Sequence, residues 1–270
     1  MEGALKQLGM LGFVLASTLV GASPVLSDPV DDLYRADAIV TGQRAETREA
    51  GFRTCLERVL VRVSGDQRLI AKPEARQMLA QAASVVQSFS YRDRMAGMPV
   101  HDEQGTYDRP YDLTCLYDHE VVDGLLAELG SRPWREERPS LAVFLKVKRP
   151  GSEVYVSRDG LRDEAMRQAF ALGASPLAMT IAFPSARDAQ RWTSSAGSPA
   201  LAEIATSIGA DRALVGVLEW SDADLGWIAT WRLAERGSER VWTVRGVNFD
   251  EAFRVAVRGA AQILSGNGAP

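Results

Sequence analysis

Between Thr47 and Val63 the apolar residues fall at Phe52, Cys55, Leu56, Val59, Leu60 and Val63. This i, i+3, i+4, i+7, i+8, i+11 spacing puts all six on one stripe, and it predicts an amphipathic helix. Ser64-Gly65-Asp66 follows, with Gly65 where a helix C′ residue belongs. Ahead of the helix, LYRADAIVTG (Leu33 to Gly42) reads as a strand. A second helix is expected from Pro73, a favoured first-turn residue, through Ala83, with Ala75, Met78, Leu79, Ala82 and Val86 turned inward. VVQSFSYRD (Val85 to Asp93) and RPYDLTCLYD (Arg109 to Asp118) read as paired strands joined by a long polar loop. Leu113, Cys115 and Tyr117 share one face of the second of these by period-two alternation, and that face should meet the first helix. Asp118 is placed to cap a helix running to Leu129, with Gly130 after it.

SRPWREERP (Ser131 to Pro139) is polar, carries a proline near each end and reads as a boundary. Beyond it, SLAVFLKVK (Ser140 to Lys148) is apolar enough for a central strand. A helix over Leu161 to Leu172, a strand LAMTIAF (Leu177 to Phe183) and a helix over Pro199 to Ile208 follow. RALVGVLEW, GWIATWRLAE and RVWTVRGVN then form a meander, with turns at Ser221–Leu225 and Arg236–Glu239. Asp250 opens a last amphipathic helix with Phe253, Val257, Ala260 and Leu264 inward. The order is βααββα, then βαβαβββα. The fold class is therefore α/β to α+β: two small domains, each a mixed sheet with helices packed on it. The expected boundaries are a leader over 1–27, one domain over 28–134, a linker over 135–139, a second domain over 140–265 and a frayed tail over 266–270.

The leader is expected because Lys6 precedes the run LGMLGFVLASTLVGA, which is short for a membrane span and right for a secretory signal. Small residues at Val20-Gly21-Ala22 and Val25-Leu26-Ser27 offer two cleavage sites. The rest of the chain has no second run of that kind, so the membrane enters only through this segment during export, and the product is periplasmic. Across 270 residues the formal net charge is −4, which removes a global basic excess for nucleic acid to recognise. Two cysteines, Cys55 and Cys115, remain after export. Their elements should face one another, so a disulfide is the expected pairing, with two separate buried thiols as the alternative. A bridge there would close a loop of about 60 residues, worth about 4 kcal/mol in the chain-entropy picture.

Candidate chemistry is sparse. Gly65 follows its helix and so lies at the carbonyl end, where the dipole repels anions, whereas a phosphate loop places glycine before a helix. Neither G-x-x-x-x-G-K-[ST] nor G-x-G-x-x-G occurs. The two histidines, His101 and His119, have no companions at metal-ligand spacing. Asp31-Asp32, Asp102-Glu103, Glu136-Glu137 and Asp222-x-Asp224 are acidic clusters without the spacing of a calcium loop. No catalytic residue, cofactor or metal follows from these patterns. Trp227 and Trp231 share one strand face and Trp242 lies on the next strand, so the indoles form either a ligand-binding face or a core stripe under the last helix. Arg48 projects near the apolar stripe of the first helix, where a buried acid would pair with it.

LYRADAIVTGQRAETREAGFRTCLERVLVRVSGD, YDLTCLYDHEVVDGLL and WREERPSLAVFLKV together resemble an exported family of Gram-negative bacteria known only as a domain of unknown function. Its V-L-V-R-V-S-G helix end stands at Val59–Gly65, and its W-x-x-x-R-P stretch at Trp134–Pro139. The resemblance carries no activity, cofactor or catalytic residue. IGADRALVGVLEW, GWIATWRLAE and FDEAFRVAVRGAAQIL are similar, more distantly, to the small α/β domains of the TolB amino-terminal region and the curli-secretion lipoprotein. That similarity implies a domain that binds protein partners in the envelope, although this chain lacks a lipobox and a propeller repeat. The expectation is a non-enzymatic periplasmic protein with an unknown envelope partner. A glycan- or small-ligand-binding protein using Trp227, Trp231 and Trp242 is the alternative. A hydrolase with carboxylates between Asp102 and Asp112 comes third.

Overall fold

The computed structural model describes residues 33–98 and 108–270. The expected leader, His101 and the Asp31-Asp32 and Asp102-Glu103 pairs lie outside the described residues. Among the described residues no helix is long and apolar enough to cross a membrane.

The first sheet has the order β1-β3-β2, from β1 (Arg35–Thr41), β2 (Ser88–Asp93) and β3 (Pro110–Leu116). Both pairings are antiparallel, so the mixed character expected of each sheet belongs to the second sheet only. In β1 the residues alternate exposed and buried without exception, which is the pattern of a strand with one wet face. Its inward residues Ala36, Ala38 and Val40 meet helix α1 (Ala45–Ser64), whose six stripe residues are all buried. The small alanines let the helix lie close against the sheet. Helix α2 (Pro73–Ala80) and helix α3 (His119–Glu128) close the sides of this core. The Asp118 carboxylate caps α3 by accepting from the amides of Glu120 and Val121, at 2.8 and 3.2 Å.

The second sheet runs β5-β4-β7-β8-β9, with β6 also on β4. Its strands are β4 (Leu141–Arg149), β5 (Ser152–Tyr155), β6 (Ile181–Ala182), β7 (Arg212–Ser221), β8 (Gly226–Glu235) and β9 (Ser238–Val247). β4 pairs parallel with β6 and β7, and the other pairings are antiparallel, so this sheet is mixed. β4 is buried on both sides, which is why it reads as a continuous apolar run. One face packs on α4 (Glu164–Ala174) and α7 (Phe249–Leu264). Part of the other lies under α6 (Pro199–Ser207), where Leu201, Ile204 and Ala205 cover Ala142, Phe144 and Val215.

The helix expected to Ala83 ends at Ala80, the strand expected from Val85 starts at Ser88, and the helix expected from Leu161 starts at Glu164. Other local details differ from the sequence pattern as well. β5 was hidden in the polar segment after β4, because it is an edge strand made by the hairpin at Gly151 and has little apolar signal. The strand expected over Leu177–Phe183 shrinks to two residues, because Ser175–Leu177 closes a tight 3-10 turn after α4. A one-turn helix, α5 (Ala186–Ala189), follows, capped by the Ser185 side chain. The last helix is capped by Asn248 in place of Asp250, its side-chain oxygen accepting from the Glu251 amide at 2.8 Å.

Candidate functional site

The two modules meet at the carboxyl end of α1, and the chemistry of that end explains the junction. A helix leaves its last carbonyls without intrahelical partners. Here the five carbonyls from Leu60 to Ser64 all accept additional or terminal bonds. Ser64 Oγ donates to Leu60 at 2.6 Å, and the Gly65 amide to Val61 at 2.8 Å. From the linker, Arg138 donates to the Arg62 carbonyl at 2.9 Å and the Trp134 amide to Val63 at 2.7 Å. From the far end of the chain, the Asn267 side-chain amide donates to Ser64 at 2.8 Å. Two remote stretches of sequence are thereby fixed to one helix end, and the tail expected to fray is anchored at Asn267.

Gly65 sits at φ 73, in the left-handed region that closes the helix. A Cβ there would stand 2.7 Å from Ser265 and 3.0 Å from the Trp134 ring. The glycine is thus required both by conformation and by the close approach of linker and tail. Its amide is already committed to Val61, so the Ser-Gly-Asp turn offers no anion cradle there.

The arginines of this stretch act on backbone carbonyls. Arg62 donates to Pro176 and to Arg35, both at 2.6 Å, joining α1 to the start of β1 and to the turn after α4. Arg58 donates to the Asp37 carbonyl, and Arg68 pairs with Asp66 at 3.0 Å while donating to the Asn267 carbonyl. Arg138 lies over the Trp134 ring, 3.9 Å from its centroid. Burial pulls its guanidinium down to about 10. At neutral pH it remains a cation at the negative end of the α1 dipole.

Beside this junction is an open groove of about 340 Å3. Its N-terminal wall is Glu57, Arg58 and Val61 of α1 with Gln67 and Ile70, and its C-terminal wall is formed by Leu172, Gly173, Pro176 and Leu177 with Arg254 and Arg258 of α7. Leu172 is 75% exposed, although α4 buries Ala169, Phe170 and Ala174 on its other side. Arg254 pairs with Glu251 at 2.8 Å, one turn back on α7. The groove is amphipathic: an apolar floor, three guanidinium groups and one carboxylate in its lining. It was missed in the sequence because its walls lie more than a hundred residues apart. One signal existed, since Arg254 and Arg258 are like charges at i,i+4, an arrangement that costs a few tenths of a kcal/mol on a helix.

The residues singled out in the sequence do not converge. Cys55 and Cys115 are both fully buried and come together as expected, but as free thiols. Cys115 stands opposite Ala36 in the sheet, and the Cys55 thiol is turned onto that strand pair, 3.5 Å from the Ala36 carbonyl and 3.9 Å from that of Leu113. The bridge inferred from facing elements is thus replaced by thiol-to-carbonyl contacts. The hydrogen bond to Cys115 and burial both push the Cys55 thiol up, which keeps it protonated and unreactive. Burial likewise raises the neighbouring Tyr117 phenol.

Trp227, Trp231 and Trp242 lie beneath α7, with Trp231 wholly inaccessible. Trp231 fits flat because its cross-strand neighbour is Gly216, where a Cβ would come within 2.1 Å of the indole. Phe253 and Phe170 pack against its ring. The stripe is core, and these three indoles do not form an exposed binding face. Among the described residues Arg48 has no acidic partner, and its guanidinium lies over the Phe89 ring, 5.4 Å from the centroid. Asp224 pairs with Arg245 at 2.9 Å and Asp222 accepts from the Trp220 indole at 2.8 Å, so both serve the hairpin. Asp112 pairs with Arg92 at 2.8 Å, and His119 packs on the Tyr34 ring at the start of α3. Burial and a hydrogen bond to Asp123 push the Tyr34 phenol up to about 12. Among the described residues no group of three His, Cys, Asp or Glu side chains is placed to hold a metal.

Comparison with known families finds one match: the model of a domain of unknown function (DUF8605) matches residues 28–135. The matched stretch contains the first sheet, α1 to α3 and Trp134, and it ends before Arg138. No curated protein and no solved structure matches the chain.

Proposed function

We propose that this is an exported, non-enzymatic protein of the Gram-negative cell envelope that binds a protein partner at the junction of its two modules. The observation that carries the reading is the open groove beside α1, where an exposed leucine stands among arginines. Apolar surface left in solvent and rimmed by guanidinium groups is a feature of recognition surfaces more than of cores. Export is supported by the signal-like pattern of the first 27 residues. The capped helix end supports a binding role in another way. It ties linker, tail and both modules together, so the groove walls are held by the backbone and need little ordering when a partner arrives.

The test is photocrosslinking in intact cells of the native host. A crosslinking amino acid replaces Leu172 in the groove or, as a control, Glu203 on the remote exposed side of α6. The expected result is one reproducible envelope adduct from position 172 and none from position 203. Mass spectrometry of the same material is expected to show an N-terminus near residue 22 or 27. A protein retaining Met1, or the absence of any reproducible adduct from position 172, overturns the reading.

A further inference from the structure

We infer that the junction groove takes an acidic peptide segment carrying a large apolar side chain. This rests on the proposed partner-binding role and specifies the chemistry of the partner at that site.

Charge gives the first half of the inference. Arg58, Arg254 and Arg258 line the groove against a single acid, Glu57. Arg58 already donates to the Asp37 carbonyl and Arg254 already pairs with Glu251, which orients both guanidinium groups. Arg258 stands exposed one turn further along α7. Planar guanidinium groups recognise carboxylates through paired N–H donors. A basic segment would meet like charge at Arg258 and at Arg254, whose partner Glu251 lies one turn back and outside the lining.

Apolar surface gives the second half. Leu172 is 75% exposed, and Leu177 and Val61 form the floor beside it. A cavity of about 340 Å3 has room for one large aliphatic or aromatic side chain and part of its backbone. The open mouth suits a chain that enters and leaves. A free small anion would use the arginines and leave Leu172 in water. A peptide with an acid on either side of an apolar anchor uses both features at once.

The experiment uses the full exported chain and three fluorescein-labelled twelve-residue peptides, read by fluorescence polarisation. One repeats Glu-Glu-Leu four times, the second replaces every glutamate by lysine, and the third replaces every leucine by serine. Binding is expected for the first alone, and raised salt should weaken it. Arg258→Glu and Leu172→Ser should each weaken it by about tenfold. Both positions are exposed, so unchanged thermal unfolding of these variants keeps the comparison fair. The inference is overturned if the first peptide fails to bind, if the lysine or serine peptide binds as well, or if neither substitution weakens binding. Vesicles of phosphatidylglycerol and phosphatidylcholine form a further arm. Leu172-dependent vesicle binding without peptide binding would assign the groove to a membrane surface and overturn the peptide. A reproducible crosslink from position 172 together with failure of the acidic peptide would leave the partner-binding role standing and sink only this chemistry.

Discussion

The indole stripe on β8 and β9 and the groove beside α1 are both apolar surfaces next to α7, yet one is sealed and the other open. Trp231 and Trp242 lie beneath a helix whose own stripe, Ala252, Phe253, Ala256, Val257 and Ala260, is buried in the same core. Small residues alternate with one large ring, so the helix descends onto the indoles and excludes water. In the groove Leu172 projects from a side of α4 that is left exposed among the described residues. Aromatic richness alone does not mark an exposed face, because the indoles of the stripe are buried. What separates the sealed apolar surface from the open one is whether a described element of the chain lies over it.

The largest effect should come from the sealed surface. Trp231→Ala removes a fully buried ring and is expected to cost about 3–5 kcal/mol, measured by urea denaturation. A loss below about 1 kcal/mol would break the contrast, because a side chain that is not core can be truncated cheaply.

Next comes the junction that frames the groove. Gly65→Ala forces a side chain into the left-handed region, at about 1 kcal/mol, and drives a Cβ against Ser265 and Trp134. Overpacking adds about 1–3 kcal/mol, so a total of about 2–4 kcal/mol is expected in the same assay. An unchanged midpoint would mean that linker and tail do not close on this helix end.

Arg138→Met should cost about 1–3 kcal/mol, because the carbonyls of Arg62 and Trp134 lose their donor while the aliphatic volume is kept. Limited proteolysis should then cut faster within residues 131–139. Arg138→Lys is expected to rescue little, since a point charge cannot stack on the Trp134 ring and reach two carbonyls together. Full rescue by lysine would reduce the site to simple charge.

Much of the fold was legible in the sequence, and the reasons are local. The stripe from Phe52 to Val63, the alternation in β1 and the Asp118 cap each express a period or a cap that the backbone enforces within a few residues. β5 was missed because an exposed edge strand carries no apolar period. The expected disulfide failed for a finer reason. Facing elements brought Cys55 and Cys115 together, but the rotation of the Cys55 thiol onto the Ala36 and Leu113 carbonyls is set by packing that a pattern does not contain. The groove was least legible, because residues 57–70, 172–177 and 254–258 meet only after both modules dock. V-L-V-R-V-S-G marked a helix end correctly, but its sequence did not say that Trp134, Arg138 and Asn267 would complete its hydrogen bonds.

The smallest effect on stability is the most informative. Leu172→Ser removes an apolar side chain that is already mostly in water, so it should change unfolding by less than about 0.5 kcal/mol. It should nonetheless remove most binding to the groove. Trp231→Ala should do the reverse, lowering stability and leaving affinity intact at temperatures where the variant stays folded. Measuring both variants by denaturation and by peptide polarisation places each on two independent axes. If Leu172→Ser destabilises the protein by more than about 2 kcal/mol, its side chain is packed in solution and the groove is closed. If both variants lose binding in proportion to stability, the two surfaces are one cooperative core, and the open groove is not a recognition surface.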